Sequence, residues 1–152
     1  MTDPQRSQGP SLSAHEIGAT VAKRLKKYEK LNFLETFAMF MGVAQLLELS
    51  LKGLLHRKYG IDRDSMERWN LGRTARVLKE RGLRADFCAL LDSVVRYRNY
   101  IAHELLANEA MLRSLLGGDS ARFEIRRLEK ATYELEQLMF LYEWTDEHEA
   151  WN

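Results

Sequence analysis

The chain has 152 residues, enough for one domain with a real core. Its 45% hydrophobic and 30% charged residues are the balance of a soluble globular protein, and its single cysteine, Cys88, excludes a disulfide framework and a cysteine-based zinc site. Net charge is +1, yet residues 1–100 carry 18 Lys/Arg against 11 Asp/Glu, a balance of +7, and residues 101–152 carry 5 against 11, a balance of −6. Such a split either offers one face to an anionic ligand such as nucleic acid or lets oppositely charged helices neutralise each other. The apolar runs are too short to span a bilayer and no signal peptide opens the chain, so the expected compartment is the cytoplasm.

Residues 1–10, "MTDPQRSQGP", hold both prolines and few apolar groups, and read as a disordered arm. The rest, 11–152, reads as a single helical domain. No proline follows Pro10, which permits long helices. A basic, weakly amphipathic helix is expected over 12–30 and a long hydrophobic one over 32–58. On the latter, Phe33, Phe37, Phe40, Ala44, Leu47, Leu51 and Leu54 share a face, while Met39, Val43, Leu46 and Leu49 fall outside it. A helix apolar on two sides is either central in its own bundle or covered by a second chain. Gly60 ends this helix, a short helix follows over 71–81, and Gly82 ends that one. A further helix spans 84–106, and 107–116 either continues it or forms a separate turn before Gly117-Gly118. The last helix covers 119–148, with Ile125, Leu128, Thr132, Leu135, Met139 and Tyr142 at steps of three and four as its packing seam. The sum is an all-α, up-and-down bundle of four long helices with one or two short ones.

Helix 84–106 carries an anomaly. Phe87, Leu91, Val94, Ile101 and Leu105 form its apolar stripe, and Arg98 falls at the centre of that stripe. A desolvated guanidinium is costly unless it is paired. Glu48, flanking the apolar face of 32–58, is the internal candidate, and a buried Glu48–Arg98 pair would fix helix register. Alternatively Arg98 faces a cleft that takes an anion, with Glu48 near enough to orient it. A further reading gives Glu48 an i,i+4 pair with Lys52. Asn99 lies about 100° from Arg98 around the helix, and His103 about 140°. The apolar Cys88, Val95 and Leu106 lie between, a sector that suits contact with a second subunit.

The run Arg98-Asn99-Tyr100-Ile101-Ala102-His103 resembles the R-x4-6-H motif, with Asn after Arg, of the HEPN superfamily. "ELSLKGLL" (48–55), "LGRTARVLKERGL" (71–83) and "LLDSVVRYRNYIAH" (90–103) follow one another as the corresponding segments do in that family, over about half the chain. The resemblance implies a helical bundle that dimerises around the motif helices. Many members are metal-independent endoribonucleases, often toxins paired with an antitoxin protein, phage-defence factors or RNA-processing enzymes, and others are non-catalytic binding modules. It assigns Arg98, His103 and Asn99 as catalytic residues. Some toxin members carry a modifiable tyrosine two residues after the histidine; here that position is Leu105, which argues against regulation of that kind.

The chemistry suits these groups. RNA is cleaved without metal when its 2′-OH attacks the adjacent phosphate. The step needs proton removal, proton delivery to the 5′-oxygen and stabilisation of the phosphorane charge. Imidazole as a class titrates near ~6.5 and transfers protons at neutral pH, and a guanidinium fork holds non-bridging oxygens. Two subunits would bring two His and two Arg to one cleft. His15, His56, His103 and His148 are scattered without metal-ligand spacing, and there is no Gly-rich phosphate loop or nucleophile elbow. No cofactor or metal is therefore expected. The leading expectation is a dimeric, metal-independent endoribonuclease. The alternative is a non-catalytic module of the same type that binds nucleotide, RNA or a protein.

Overall fold

The computed structural model describes residues 11–116 and 121–152. The arm expected at 1–10 and the break expected at Gly117-Gly118 lie outside the described residues. Every regular element among those described is helical: α1 (Ala14–Leu25), α2 (Phe33–Tyr59), α3 (Leu71–Glu80), α4 (Ala85–Tyr100), α5 (Leu106–Leu116) and α6 (Ala121–Glu147). Single 3₁₀ turns follow α1 at Lys26–Tyr28 and precede α3 at Asp64–Met66.

Local chemistry sets the boundaries. Ser13 and Glu16 form a reciprocal capping box at the start of α1, and Asn32 and Glu35 do the same for α2. The Asn70 carboxamide accepts the Arg73 N–H at 2.8 Å to open α3. Gly60 ends α2 in the left-handed region at φ 68°, where its N–H donates to the His56 carbonyl at 3.0 Å. A β-carbon is disfavoured in that conformation, so glycine at this stop has a steric cause.

The packing order differs from a simple reading of hydropathy. α6 packs against α1 on one side and against α2, α4 and α5 on others, while α3 bridges α2 and α4. Thus α6 is the central helix, although it buries two carboxylates, Glu124 and Glu136. α2 is central on one side only. Phe40, Ala44, Leu47, Leu51 and Leu54 are buried as the periodicity requires, and Val43, from outside that face, joins them. Met39, Leu46 and Leu49 remain exposed, the last two at 56%. α2 is long and apolar enough to cross a membrane by length and composition, with a mean hydropathy of 1.4 over its best window, half of which is buried in the bundle. The individual apolar runs understate this, because the helix joins them.

The charge split is partly neutralised where α6 meets α1, the turn after it and α2. Arg24 pairs with Glu143, Lys27 Nζ lies 2.6 Å from Glu136 Oε1, and Arg57 binds Asp146 at 3.0 Å. Neutralisation between chain halves is therefore present on this side of the bundle. Glu136 is fully buried, and its Oε1 also accepts the Tyr28 hydroxyl at 2.7 Å. Burial first, then the hydrogen bond and charge of Glu136, push the Tyr28 phenol far above the ordinary tyrosine value. Tyr142 is raised by burial against an opposing hydrogen bond from Arg57. These phenols keep their protons in the folded state, whereas the unfolded chain releases its own above about pH 10. Stability from this source is whole below that pH and declines as pH rises beyond it. A urea midpoint measured from pH 8 to 11 should fall steeply above pH 10, and Tyr28→Phe should flatten that limb. Parallel limbs in the two proteins would contradict the assignment.

Candidate functional site

α4, the segment after it and α5 form one continuous helical run, so 107–116 continues the helix. The run is not uniform. Residues Ile101–Leu105 form a π-helical turn, and the second half of the Arg98–His103 run falls within it. Such turns insert an extra residue per turn, are rare and concentrate at functional sites. Each residue in this one advances by less than the α-helical 100°, which draws His103 nearer the Arg98 sector than the 140° of a regular helix.

The π turn and α4 divide the expected residues by exposure. Val94, Ile101 and Leu105 are buried, and Arg98, on the same stripe, is half-buried. Asn99 and His103 are exposed. The sector between them is only partly open. Cys88 is buried, and Val95 is covered by α3, where a β-carbon at Gly72 would stand 3.6 Å from Val95 Cγ1. Only Leu106 of that sector is exposed, at 39%. Within the chain, Cys88 and half-buried Val95 are thus covered mainly by its own helices.

Glu48 does not meet Arg98. Its Oε2 accepts from Gln45 Nε2 at 3.0 Å and lies 3.7 Å from Lys52 Nζ, the i,i+4 arrangement. The reason is topological: α2 and α4 each pack against α3 and α6 and so occupy opposite corners of the bundle. Glu48 instead lines a pocket of about 420 Å³ with Lys52, Arg63 and Glu67. Among the described residues Arg98 makes no ion pair. Arg98→Ala and Glu48→Ala should accordingly act independently on stability, with a double-mutant coupling below about 0.5 kcal/mol. A coupling above about 1 kcal/mol in urea melts would reinstate the pair.

A second arrangement stands beside the π turn. Ser93, Arg96, Tyr97 and Tyr100 of α4 face Arg127, Lys130 and Glu134 of α6 across a groove of about 600 Å³. The Ser93 hydroxyl donates to Glu134 at 3.0 Å, and Tyr100 donates to Glu124 at 2.7 Å. The Tyr100 hydroxyl also accepts from Asn108 at 3.1 Å, and the Arg127 guanidinium lies 4.7 Å from the Tyr100 ring centre. Burial, then the Glu124 hydrogen bond, raises the Tyr100 phenol. Arg127 and Lys130 escape notice in the sequence because they sit in its acidic half, and only the fold sets them against Arg96. Among the described residues no three His, Cys, Asp or Glu side chains converge as metal ligands would. The fold and site thus define an all-helical bundle in which α4 carries Arg98 and one wall of a basic, tyrosine-bearing groove, and the π turn after it carries His103. Comparison of the chain with protein-family models, curated proteins and solved structures finds no match.

Proposed function

We propose that the chain is a HEPN-type, metal-independent endoribonuclease of the cytoplasm, working as a homodimer in a toxin–antitoxin or phage-defence role. The observation that carries this reading is the Arg98–His103 run itself, which straddles the end of α4 and a π turn. There Asn99 and His103 are exposed while Arg98 is half-buried. In this reading His103 moves the proton between the 2′-OH, the solvent and the leaving 5′-oxygen. Arg98 holds the non-bridging oxygens, and Asn99 positions the phosphate or the imidazole. The HEPN-like, up-and-down arrangement belongs to the same proposal.

The dimer has a physical motive. α5 exposes Leu106, Met111 at 54% and Leu115 at 72%, together with Ala107 and Ala110. His103 precedes Leu106 by three residues and borders this surface. Covering α5 with its counterpart in a second copy removes the apolar patch from water and brings the second His103 close. The exposed Met39, Leu46 and Leu49 of α2 offer a second apolar surface for the same partner copy. Light scattering at micromolar concentration should give twice the 17.7 kDa of the chain. Met111→Glu with Leu115→Glu should return the protein to a monomer and abolish cleavage. A wild-type monomer that cleaves RNA would remove the shared-cleft argument.

The test of the activity is incubation of purified protein with labelled RNA in EDTA. Cleavage leaving a 2′,3′-cyclic phosphate, with DNA untouched, is the expected result. One observation favours the second reading, a non-catalytic module that binds nucleotide, RNA or protein. Among the described residues nothing hydrogen-bonds to the His103 ring. Intact RNA after long incubation, with binding retained, would select that reading.

A further inference from the structure

We propose that the groove between α4 and α6 binds one nucleotidyl unit of single-stranded RNA, a base and its phosphates, upstream or downstream of the phosphate that is cut. The proposal rests on the ribonuclease reading for its choice of RNA, but its geometry is independent of His103. Two stripes at helical spacing form the walls: Ser93, Arg96/Tyr97 and Tyr100 on α4, and Arg127, Lys130 and Glu134 on α6. The pairs Ser93–Glu134 and Tyr100–Glu124 run in opposite chain directions, so the helices are antiparallel and the groove is pinned at both ends. Between the pins, three cations from two helices surround one space.

Charge sets the groove apart from the side of the bundle where α1 meets α6. At α1 and α6 the cations face carboxylates, as Arg24 and Lys27 face Glu136 and Glu143. In the groove, Arg96, Arg127 and Lys130 have no ion-pair partner among the described residues. The two carboxylates at its ends keep their charge while accepting from neutral hydroxyls, Glu134 from Ser93 and Glu124 from Tyr100, and neither forms an ion pair with these three cations, which outnumber them. Clustered like charges repel unless an anion enters. A phosphodiester supplies that anion, and the guanidinium forks of Arg96 and Arg127 match its oxygens.

The aromatic groups add the second half of the ligand. Tyr97 is half-buried in the groove and offers ring surface. The Tyr100 ring is already partly covered by Arg127. A planar base stacking on Tyr97 would lie within reach of phosphates held by Arg96 and Lys130, a combination typical of single-strand binding. Arg96 shares its side of α4 with Asn99 and His103, so a strand lying in the groove leads toward the π turn.

The experiment measures fluorescence anisotropy of a labelled, fully 2′-O-methylated oligonucleotide, which 2′-OH attack cannot cut. Arg96→Glu with Lys130→Glu should weaken binding at least tenfold and flatten the plot of log affinity against log salt. The loss is roughly 0.7 in slope for each phosphate contact removed. Tyr97→Leu should weaken binding about tenfold with the salt slope unchanged. Arg96→Ala and Lys130→Ala, with unchanged melting curves, guard against a folding artefact. His103→Ala should bind like wild type. Affinity within twofold of wild type in both charge variants would overturn the proposal, even if His103-dependent cleavage is found. Complete displacement of the strand by a mononucleotide at concentrations matching the strand's own Kd would overturn the choice of a strand. Groove-dependent binding without any cleavage of unmodified RNA would uphold the groove and remove the nuclease reading.

Discussion

His103→Ala is expected to slow RNA cleavage by roughly 10²–10⁴-fold, the usual cost of losing a general acid or base, with no change in melting temperature. The second half of that statement comes from exposure: His103 is solvent-accessible on the π turn and makes no packing contribution to the core. The loss should fall in kcat, because the imidazole is not needed to hold the strand. Arg98→Ala should also depress kcat, since charge on the phosphorane develops only as the 2′-oxygen attacks. A His103→Ala effect below about tenfold would sink the catalytic assignment. Cleavage that survives the substitution but disappears in EDTA would trace to a metal-dependent contaminant. Equal rates on DNA and RNA would exclude 2′-OH attack, because DNA lacks the nucleophile.

The largest stability effect is expected at Trp151. Its ring is buried, with an edge-on contact to Phe87 at 5.0 Å between centres and a tilted one to Tyr142 at 5.5 Å. Its indole N–H donates to Asp146 Oδ1 at 3.1 Å. Its carbonyl accepts the Arg84 N–H at 3.1 Å, and the Ala150 carbonyl accepts Arg84 Nη1 at 3.1 Å. The segment after α6 thereby clamps the start of α4, the helix that ends in Arg98. Trp151→Ala should cost about 3–5 kcal/mol, as truncation of a buried Trp generally does. For a domain of this size that lowers Tm by roughly 6–20 °C. Trp151→Phe keeps most of the contact area and should cost distinctly less. A Trp151→Ala protein melting within about 3 °C of wild type would show that the clamp is not part of the cooperative core.

Much of the helix layout is legible in the sequence, because helix formation depends on neighbours a few residues away. The absence of proline after Pro10, the three-and-four spacing of apolar groups, and Gly60 and Gly82 at the breaks all act locally. Both glycines adopt positive φ, 68° and 82°. The capping residues Asn32 and Asn70 belong to the same local class.

What only the tertiary structure decides is which helices become neighbours. Hydropathy points to α2 as the helix buried on more than one side, yet α6 holds the centre and α2 leaves Leu46 and Leu49 in solvent. Pairing Glu136 Oε1 with Tyr28 and Lys27, and Oε2 more loosely with Arg24, offsets the burial of a carboxylate on a helix of lower hydropathy, and that pairing spans more than a hundred residues. The same neighbour choice parts Glu48 from Arg98, since the two sit on helices at opposite corners. It also sets Arg127 and Lys130, in a stretch that is acidic overall, against Arg96 and Tyr97. The π turn is likewise invisible to periodicity: one extra residue within a turn shifts every later side chain around the axis, and a regular 100° step does not describe it. The residue types that do chemistry are therefore read along the chain. Their sharing of one surface is a property of packing, because burial energies and long-range pairs, not local propensity, choose the helix order.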